Sequence, residues 1–558
     1  MAHQKKIRIG LLVDDNMLPA WAFDMINEIS QTNHSRIVLI IKKKSKKTCH
    51  YPDKPGWKNR QHWLFFLYRK FENLLFKPVP NAFEKKNLSD LPVKCEIIPV
   101  TPEEKDESDI IAEDDMNTIR QYQIDLFLQV GFRALRGGIL NCSAYGIWTL
   151  QAGSKKIVCN DYAGIWELLN KETTSTIHII AYSGNQKDGQ VIGRSTFRTL
   201  DNSINWNRNT FFWKARLLIP RLLEALSRSN NGIIPAHTPT DKSFPPPAKR
   251  QTPNLPGNAE LVHKVSRLFF TYLKRKFFGL LYREQWGLLV HSGQAGHVPA
   301  SFSGFKRLIP PKDRLWADPF VIQQKGKDYI FIEEMTFRGK KGHIAVMEAE
   351  GKGQYSTPRP VLKRPYHLSY PFIFRHKDQL YMMPETLQNQ SIELYKCHIF
   401  PDKWQFEKTL ISDISATDAT LFNYRDTFWL FTSVDTHPGT SINDELFLFY
   451  ASSLTDTHWT PHPQNPIVSD VRFARPAGNL FIQNGKLYRP AQDCSKHYGY
   501  GMQIMEVTTI NKETYAEQHA QSIYPELAKE KKIAGTHTLN FSGNLTVSDG
   551  IFIRNRLF

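Results

Sequence analysis

The hydrophobic and polar positions of the C-terminal half form a pattern that returns five times. Each copy has a short strand, a polar turn and a second strand, and the copies start at residues 318, 370, 418, 477 and 536. The first copy reads Asp318-Pro-Phe-Val-Ile, then a turn, then Tyr329-Ile-Phe-Ile-Glu-Glu. Alternation with a period of two is typical of strands, and a repeat of roughly 50 residues with several strands per unit is typical of a β-propeller. We therefore predict an all-β propeller with five blades around a central channel.

The N-terminal pattern is different, because apolar strands alternate there with helices. Residues 7–14 are predicted to form a buried strand, 20–30 a helix and 36–41 a second strand. A further strand starts at Ile124, after an acidic helix around 109–122. Alternating strands and helices indicate a parallel α/β sheet. The chain is therefore predicted to be multidomain, with an α/β domain before the propeller.

A change of composition separates the two patterns. Residues 229–258 are rich in Asn, Pro, Ser and Thr and have too few apolar residues to form a core, so a disordered linker is predicted there. The predicted domains are an α/β domain over 1–228, this linker, a basic amphipathic helix over 259–290 and the propeller over 291–558.

The chain is strongly basic, with a net charge of +18, and two helical stretches are both basic and amphipathic. These are residues 59–76 and 259–285. Interfacial membrane helices have this composition, but helices that pack on the protein's own domains and solvate their basic residues share it, so both interpretations stay open. Because the sequence contains no nucleic-acid recognition motif, the predicted acidic partner is an anionic membrane surface and not a nucleic acid.

Cysteine usage and hydropathy bear on the compartment. The six cysteines are scattered without a Cys-x-x-Cys pair, which is typical of reduced thiols. The apolar run after Lys5-Lys6 is too short for a signal peptide, and no apolar run reaches transmembrane length. We therefore expect a cytoplasmic location, peripheral on the inner face of the membrane.

The repeat also indicates where chemistry could take place. A polar residue recurs at the start of the first strand of a copy, and a second polar residue recurs at the end of the next strand. The first ring is Asp318, Tyr370 and Asp418, and the second is Glu333, Glu385, Ser433 and Gln492. Four carboxylates that converge on one funnel are an energetically costly arrangement, because like charges disfavour each other's ionisation. The alternative is that these residues are turn or capping residues that tie the blades together.

One stretch of the N-terminal third resembles the formyltransferase family, which includes methionyl-tRNA and sugar N-formyltransferases. It runs from Asp125-Leu-Phe-Leu-Gln-Val-Gly to Tyr145-Gly-Ile-Trp-Thr-Leu-Gln-Ala-Gly, and the resemblance covers roughly 1–200. It implies a Rossmann-type fold with a catalytic Asn-x-His pair and a later Asp. Thr149, Gln151 and Lys187 stand in those places. Gln cannot transfer a proton near neutral pH as His does, so formyl transfer is predicted to be lost and folate is not expected as a cofactor.

The C-terminal part resembles the N-terminal domain of plant glucosamine inositolphosphorylceramide transferases and, distantly, five-bladed glycoside hydrolases of the arabinanase and invertase type. The resemblance covers about 286–558 and rests on Trp316-Ala-Asp-Pro-Phe, Tyr366-His-Leu-Ser-Tyr-Pro-Phe, Met383-Pro-Glu-Thr, Arg489-Pro-Ala-Gln-Asp-Cys and Tyr498-Gly-Tyr-Gly. In the glycosidases, carboxylates from different blades act as base or nucleophile, acid and pKa modulator. Asp318 and Asp418 match two of these positions, whereas the fourth-blade acid is missing.

Together the resemblances imply a transferase that acts on sugars in bacterial surface-polysaccharide or glycolipid biosynthesis, with an activated sugar and a glycan or glycolipid acceptor as partners. Asp318 or Asp418 is the expected general base, and Glu385 is the third catalytic candidate. The expected substrate-binding residues are Glu333, His367, Tyr370, Arg475, Arg489, Gln492 and His537. The sequence predicts no metal site and identifies no other cofactor.

Two alternatives stay open. A five-bladed glycoside hydrolase needs only two carboxylates. A non-catalytic carbohydrate-binding or scaffold protein is also compatible, because a fold does not by itself imply a function.

Overall fold

A computed structural model describes most of the chain. The described residues are 6–44, 57–105, 108–152, 163–184, 186–229, 255–293, 298–351, 353–525 and 533–556. The chain divides into two compact units, and strands make up 46% of it. Unit 1 comprises Met1–His237, Lys242–Thr271 and His437–Thr440, and unit 2 comprises Thr238–Asp241, Tyr272–Thr436 and Ser441–Phe558. The predicted linker over 229–258 falls largely outside the described residues.

Unit 1 is an α/β structure. Its strands are β1 (Ile7–Val13), β2 (Met17–Pro19), β3 (Ser35–Lys43), β4 (Lys85–Asn87), β5 (Glu96–Val100), β6 (Glu103–Lys105), β7 (Ser108–Ile110), β8 (Leu126–Gln129), β9 (Ala134–Arg136), β10 (Ile147–Ala152), β11 (Thr174–Ser183) and β12 (Gln186–Arg198). Its helices are α1 (Ala20–Gln31), α2 (Trp63–Leu75), α3 (Glu113–Arg120), α4 (Ile165–Asn170), α5 (Ile204–Arg228) and most of α6 (Asn258–Leu281).

Seven of these strands form one mixed sheet in the order β12-β11-β10-β8-β1-β3-β5. The pairs β10–β8, β8–β1, β1–β3 and β3–β5 are parallel, as the alternation of strands and helices predicts. The pairs β10–β11 and β11–β12 are antiparallel, which the alternation does not predict. The predicted strands at 7–14 and 36–41 and the predicted helix at 20–30 are β1, β3 and α1.

Helix α5 packs against the sheet, and the sequence pattern did not predict it. Eighteen of its 25 residues are buried, including the consecutive Phe211, Phe212 and Trp213. A helix that is buried on nearly every side lacks the polar stripe from which amphipathic helices are recognised. Among the described residues, no helix is long and apolar enough to cross a membrane.

Unit 2 is built from antiparallel strands. They are β13 (Tyr282–Ser292), β14 (Lys306–Leu308), β15 (Arg314–Gln324), β16 (Lys327–Thr336), β17 (Gly342–Gly351), β18 (Gln354–Tyr355), β19 (Arg359–Leu362), β20 (Ser369–His376), β21 (Gln379–Glu385), β22 (Ser391–Ile399), β23 (Lys403–Ser412), β24 (Ala416–Tyr424), β25 (Thr427–Val434), β26 (Leu446–Ala451), β27 (Thr460–Pro461), β28 (Phe481–Gln483), β29 (Lys486–Asp493), β30 (Gly501–Ile510), β31 (Tyr515–Ile523), β32 (Leu539–Ser542) and β33 (Leu545–Asn555).

Each copy of the sequence repeat belongs to its own sheet. Four sheets follow one another along the described chain as β15–β19, β20–β23, β24–β27 and β28–β31. A further sheet has the order β14-β13-β33-β32 and so combines strands from both ends of the unit. The long pairing of β13 with β33, from Tyr282 opposite Asn555 to Ser292 opposite Leu545, joins these ends. Buried apolar side chains such as Phe320, Phe331 and Tyr395 fill the space between neighbouring sheets.

Candidate active site

The first strands of three sheets carry the same local distortion. In β15, β20 and β24 the pairing register shifts near the strand start, at Ala317/Phe320, Ser369/Phe372 and Thr417/Thr420. Within these bulges Asp318, Tyr370 and Asp418 adopt φ values of +50°, +43° and +54°. Positive φ is uncommon for residues other than glycine, and a bulge redirects the side chains around it. All three side chains are buried.

The second predicted ring lies beside the first. In β16, β21 and β25 the residue opposite the start of each bulge is polar, and these residues are Glu333, Glu385 and Ser433. All three are buried. Within each hairpin, the register therefore places a polar residue of the second strand opposite the bulge of the first strand.

Asp318 lies at one side of this group, next to His537. Nε2 of His537 is 3.2 Å from Oδ1 of Asp318, and its Nδ1 is 2.7 Å from Oδ2 of Asp549. The backbone N–H of Asp318 also donates to Oδ2 of Asp549 at 3.1 Å. Oδ2 of Asp318 accepts from the backbone N–H of Tyr370, and its Oδ1 accepts from the Thr538 hydroxyl. The imidazole thus bridges two carboxylates.

Asp418 lies at the other side and is held by Arg475. The guanidinium donates to both carboxylate oxygens, from Nε at 2.6 Å and from Nη2 at 3.2 Å. Nε2 of Gln492 donates to Oδ2 of Asp418 at 2.7 Å. Nη2 of Arg475 is also 3.6 Å from Oε2 of Glu385. Bidentate pairing of this kind fixes the carboxylate in one orientation.

Burial changes the proton affinity of Asp318 and His537. Burial raises the pKa of Asp318 to about 6; the charges of Asp418 and Asp549 add to the rise and His537 opposes it. Burial by itself would lower the pKa of His537, but Asp549 and Asp318 outweigh it and the pKa is raised. Asp318 therefore loses its proton close to neutral pH, beside an imidazole that favours the charged form.

The two glutamates are held more strongly in the protonated form. Burial, followed by the charges of Asp318 and Glu385, keeps the pKa of Glu333 well above its usual range. Burial and then the charge of Asp418 do the same for Glu385. We name one group of buried side chains the carboxylate cluster. Its members are Asp318, Glu333, Glu385, Asp418, Arg475, His537 and Asp549. It combines proton donors and an acceptor near neutral pH, which acid–base catalysis requires.

His367 joins the cluster at its edge. Its Nε2 is 3.3 Å from Oε1 of Glu333, and its Nδ1 accepts from the backbone N–H of Gly342 at 2.9 Å. Because Nδ1 accepts, the proton of the neutral ring lies on Nε2 and faces Glu333. Burial lowers the pKa of His367, which favours this neutral ring.

Tyr370 does not present its ring to a ligand. It is completely buried, and its hydroxyl accepts from the backbone N–H of Gly478 at 2.8 Å and contacts the Thr420 hydroxyl at 2.8 Å. It therefore ties three sheets together, which corrects the expectation that it binds substrate. Gly478 has a φ of +128°, so the fourth copy keeps the positive φ with a residue that has no side chain.

The expectation that Arg489 binds substrate is also corrected, because its guanidinium is already paired. Nε and Nη2 donate to the two carboxylate oxygens of Glu517 at 2.9 and 2.7 Å, and Nη2 donates to the carbonyl of Phe473 as well. The residue is 1% exposed. A buried cation neutralised by its own carboxylate braces the fourth sheet and has no charge left for a phosphate.

The sequence reasoning missed several members of the site. Asp549 lies outside the polar positions of the repeat. Tyr498 is 37% exposed, its ring lies 4.9 Å from the Arg475 guanidinium carbon and 5.0 Å from the His537 ring, and Trp286 packs on the same imidazole at 4.2 Å. The motif Tyr498-Gly-Tyr-Gly was a usable signal for this aromatic wall. Exposed aromatic rings beside polar groups are suited to stacking on sugars.

Within the described residues, one set of donor atoms could hold a metal ion. The ligand atoms of Asp318, His537 and Asp549 all lie within 4.8 Å of one another. The same distances suit a protonated imidazole that bridges two carboxylates. The geometry is therefore compatible both with a bound metal ion and with direct pairing of the three side chains.

The predicted degenerate formyltransferase positions lie in unit 1. Thr149 and Gln151 are on β10, where Gln151 is opposite His178 on β11. Gln151 is buried, and neither atom of its amide has a hydrogen-bond partner among the described residues. Lys187 is on β12, but its side chain lies outside the described residues. That formyl transfer is lost stays a prediction.

Comparison with known families places the cluster in context. Residues 310–543 match the family described as glucosamine inositolphosphorylceramide transferase 1, N-terminal. This segment contains Asp318, Glu385, Asp418 and His537. The match confirms the resemblance of the C-terminal part to this family.

The curated relatives are plant proteins. The chain is 38% identical over 204 residues to glucosamine inositolphosphorylceramide transferase 1 of Oryza sativa subsp. japonica, covering 36% of this chain and 27% of that protein. It is 34% identical over 204 residues to the protein of the same name from Arabidopsis thaliana, covering 36% of this chain and 26% of that protein. The chain thus spans about a quarter of the length of the relatives it matches. Their name is that of a transferase.

Solved structures show weaker similarity. A family 117 glycoside hydrolase from Zobellia galactanivorans has 11% identity and a TM-score of 0.31, covering 48% of this chain and 90% of that chain. The catalytic domain of a GH62 α-L-arabinofuranosidase from Coprinopsis cinerea has 13% identity and a TM-score of 0.33, covering 47% and 97%. At these TM-scores the likeness supports no statement about the fold or the reaction.

Proposed function

We propose that this chain is a transferase that moves a sugar or related group to a glycan or glycolipid acceptor in bacterial surface-polysaccharide or glycolipid assembly. One observation carries the proposal: the segment matched by the transferase family, 310–543, contains most of the buried carboxylate cluster. The name of the curated relatives supports the reaction class. The chain spans about a quarter of the length of these relatives, so their name does not establish a donor or an acceptor for this chain. The donor and the acceptor are therefore part of the proposal.

The proposal includes a five-bladed propeller with the cluster on its axis. Five antiparallel sheets in the described part of unit 2, the last made from both ends of the unit, support this architecture. A hydrogen bond joins the first strands of two sheets, from Tyr370 to Asp318, and Thr538 and Gly478, which precede β32 and β28, donate to Asp318 and Tyr370. Sheets that meet at their first strands are expected around a propeller axis.

Asp318 is the proposed general base for the acceptor hydroxyl. A base works best when its pKa lies near the operating pH, and the pKa of Asp318 is raised to about 6. His537 balances the negative charge of Asp318 before the proton arrives, and Asp549 holds the imidazole in place. Asp418 is the weaker candidate, because the guanidinium of Arg475 pairs with both of its carboxylate oxygens.

Glu385 is the proposed proton donor to the departing group. Its raised pKa keeps the carboxylic acid protonated, and Oε2 has no hydrogen-bond partner within the described residues. Arg475 and Asp418 lie next to it and fix the local charge. Tyr498 is proposed to stack on the sugar, since it is the partly exposed aromatic ring beside Arg475.

For unit 1 we propose a formyltransferase-type fold that no longer transfers formyl groups. The partly parallel sheet and Gln151 at the expected His position support this. Purified protein should not consume 10-formyltetrahydrofolate in the presence of amino-sugar nucleotides. Turnover that disappears in a Gln151→Ala variant would contradict the proposal.

A glycoside hydrolase is the second candidate, because a protonated Glu385 beside Asp418 also resembles a hydrolytic acid and its partner. The two functions differ in what a strain without the protein accumulates. A missing transferase should leave a glycan or glycolipid lighter by one group, whereas a missing hydrolase should leave a heavier one.

Mass spectrometry of lipid and polysaccharide extracts from a deletion strain and its complemented parent tests this. We expect a product that is lost on deletion and restored on complementation, with a lighter acceptor accumulating. Accumulation of a heavier species would favour the hydrolase. Unchanged extracts together with sugar binding by the purified protein would leave a carbohydrate-binding module.

A further inference from the structure

Helices α2 and α6 are joined at their N-terminal ends and share one small apolar core. The side chain of Asn258 accepts from the backbone N–H of Leu64 at 3.1 Å and donates to the carbonyl of Arg60 at 3.0 Å. Phe65 of α2 and Leu261 of α6 are buried there against α4. Helix α2 and the N-terminal part of α6 therefore pack on unit 1 by one face, as one of the two interpretations of the sequence expected.

The outer face of α2 is apolar. It carries Trp63, Leu67, Phe71, Leu74 and Leu75, which are between 49% and 71% exposed. The spacing of three and four residues puts them on one side of the helix. The opposite side holds the buried Phe65 and Glu72. Water-exposed aromatic and aliphatic side chains in a continuous stripe usually mark a binding surface.

Helix α6 shows the same feature over a greater length. From Leu273 to Leu280 every residue is exposed. The exposed apolar side chains of the helix are Val262, Phe269, Phe270, Tyr272, Leu273, Phe277, Phe278 and Leu280. The helix also contains five basic residues, Lys264, Arg267, Lys274, Arg275 and Lys276, and one acidic residue, Glu260.

We propose that the outer face of α2 and the outer face of α6 each bind an anionic lipid bilayer. The apolar stripes would enter the headgroup boundary, and the basic residues would meet negative phosphates. Charge decides between occupants: a second copy of this chain, with its net charge of +18, would be repelled, whereas anionic lipid would be attracted. The proposal places the chain on the cytoplasmic face, where anionic lipids are enriched.

Flotation of the full chain with vesicles tests this without any sugar substrate, so the result is independent of the proposed function. We expect binding to phosphatidylcholine vesicles that contain phosphatidylglycerol, and little binding to phosphatidylcholine alone. Lys274→Gln with Lys276→Gln should weaken binding about 25-fold, since each basic residue near such a surface is worth roughly fivefold. Lys325→Gln with Lys327→Gln, at an exposed turn of unit 2, is the matched control and should bind normally.

The apolar stripe is tested separately. Phe269→Ser with Leu273→Ser should abolish flotation, whereas Ile482→Ser, which alters an equally exposed side chain elsewhere, should not. Absence of flotation, equal binding to neutral vesicles, or equal effects of test and control variants would overturn the proposal. A dimer in light scattering that Phe269→Ser with Leu273→Ser dissociates would also overturn it, because the faces would then join two copies.

Discussion

At the scale of single residues, the fold changes the chemistry of Asp318 in a measurable way. A group whose pKa is raised on folding stabilises the folded chain at low pH, and this stabilisation is lost as the pH rises through the folded pKa. For Asp318 the window runs from its ordinary 3.8 to about 6. As the pH rises through this window, the free energy of unfolding of the unaltered chain should fall. A chain with an uncharged residue at position 318 should not show this fall.

Asp318→Asn removes this titration. Between about pH 4 and about pH 6, the free energy of unfolding of the variant should therefore rise relative to that of the unaltered chain by on the order of 2–3 kcal/mol. Its melting temperature should rise relative to that of the unaltered chain over the same range. Asp378→Asn is the matched control, because Asp378 has a similar φ of +57° but is exposed in a turn. Thermal melts at several pH values measure the difference. A constant difference across the window would contradict the raised pKa.

Tyr370 and its hydroxyl provide a second test at this scale. Tyr370→Phe leaves the backbone N–H of Gly478 without its acceptor, so it should cost about 1–3 kcal/mol of stability. Activity per folded molecule should stay unchanged, because the hydroxyl contacts Thr420 and the backbone of Gly478 and no member of the carboxylate cluster. Denaturant unfolding combined with an activity assay separates the effects. Lost activity without lost stability would restore Tyr370 to the binding site.

Single residues also show what the sequence could and could not predict. Asp318 and Asp418 were found because the hairpin alternation fixes their phase in the repeat. Asp549 was not, because its contact with the backbone of Asp318 spans 231 residues and exists only after β33 closes the last sheet. Arg489 was misjudged because its partner Glu517 lies on β31, a strand outside the hairpin of the copy.

At the scale of elements, the bulges in the first strands are the devices that bring the side chains together. In the fourth copy of the repeat, the residue with positive φ is Gly478. An added Cβ at this position would lie 2.2 Å from the carbonyl oxygen of Leu539. Gly485, in the following turn, also has a positive φ of +75° but has open space around it. Both glycines have a positive φ, but only Gly478 has atoms close to an added Cβ. Substitutions at the two positions therefore distinguish the cost of backbone strain from the cost of a steric clash.

Gly478→Ala should destabilise unit 2 by about 3 kcal/mol or more, whereas Gly485→Ala should cost only about 1 kcal/mol, the usual strain of a non-glycine residue at positive φ. Urea unfolding of both variants gives the comparison. Equal costs for the two variants would mean that the close approach at Gly478 relaxes without strain.

The elements divide by how local their signals are. The first hairpin of each of the first four sheets was predicted from alternation within the hairpin itself. Helix α5 was missed because burial on nearly every side removes its polar stripe. The amphipathic patterns of α2 and α6 were recognised, but only the structure shows that one face of each is packed and the other exposed.

At the scale of the whole molecule, the chain divides into two compact units: unit 2 holds the carboxylate cluster, α2 belongs to unit 1, and α6 is divided between the units at residue 271. The sequence predicted an α/β part followed by a β part from the change of periodicity. It could not predict the sheet that closes unit 2, because β13 and β33 lie at its two ends and their pairing has no local signal.

The central claim is that the carboxylate cluster performs the reaction, and complementation of a deletion strain tests it most directly. The product identified by mass spectrometry should return with Asp378→Asn but fall by roughly 10²–10⁴-fold in rate of formation with Asp318→Asn, as loss of a general base predicts. Melts of both purified variants show whether each is folded. Full restoration of the product by a folded Asp318→Asn variant would contradict the account and leave a binding module in place of an enzyme.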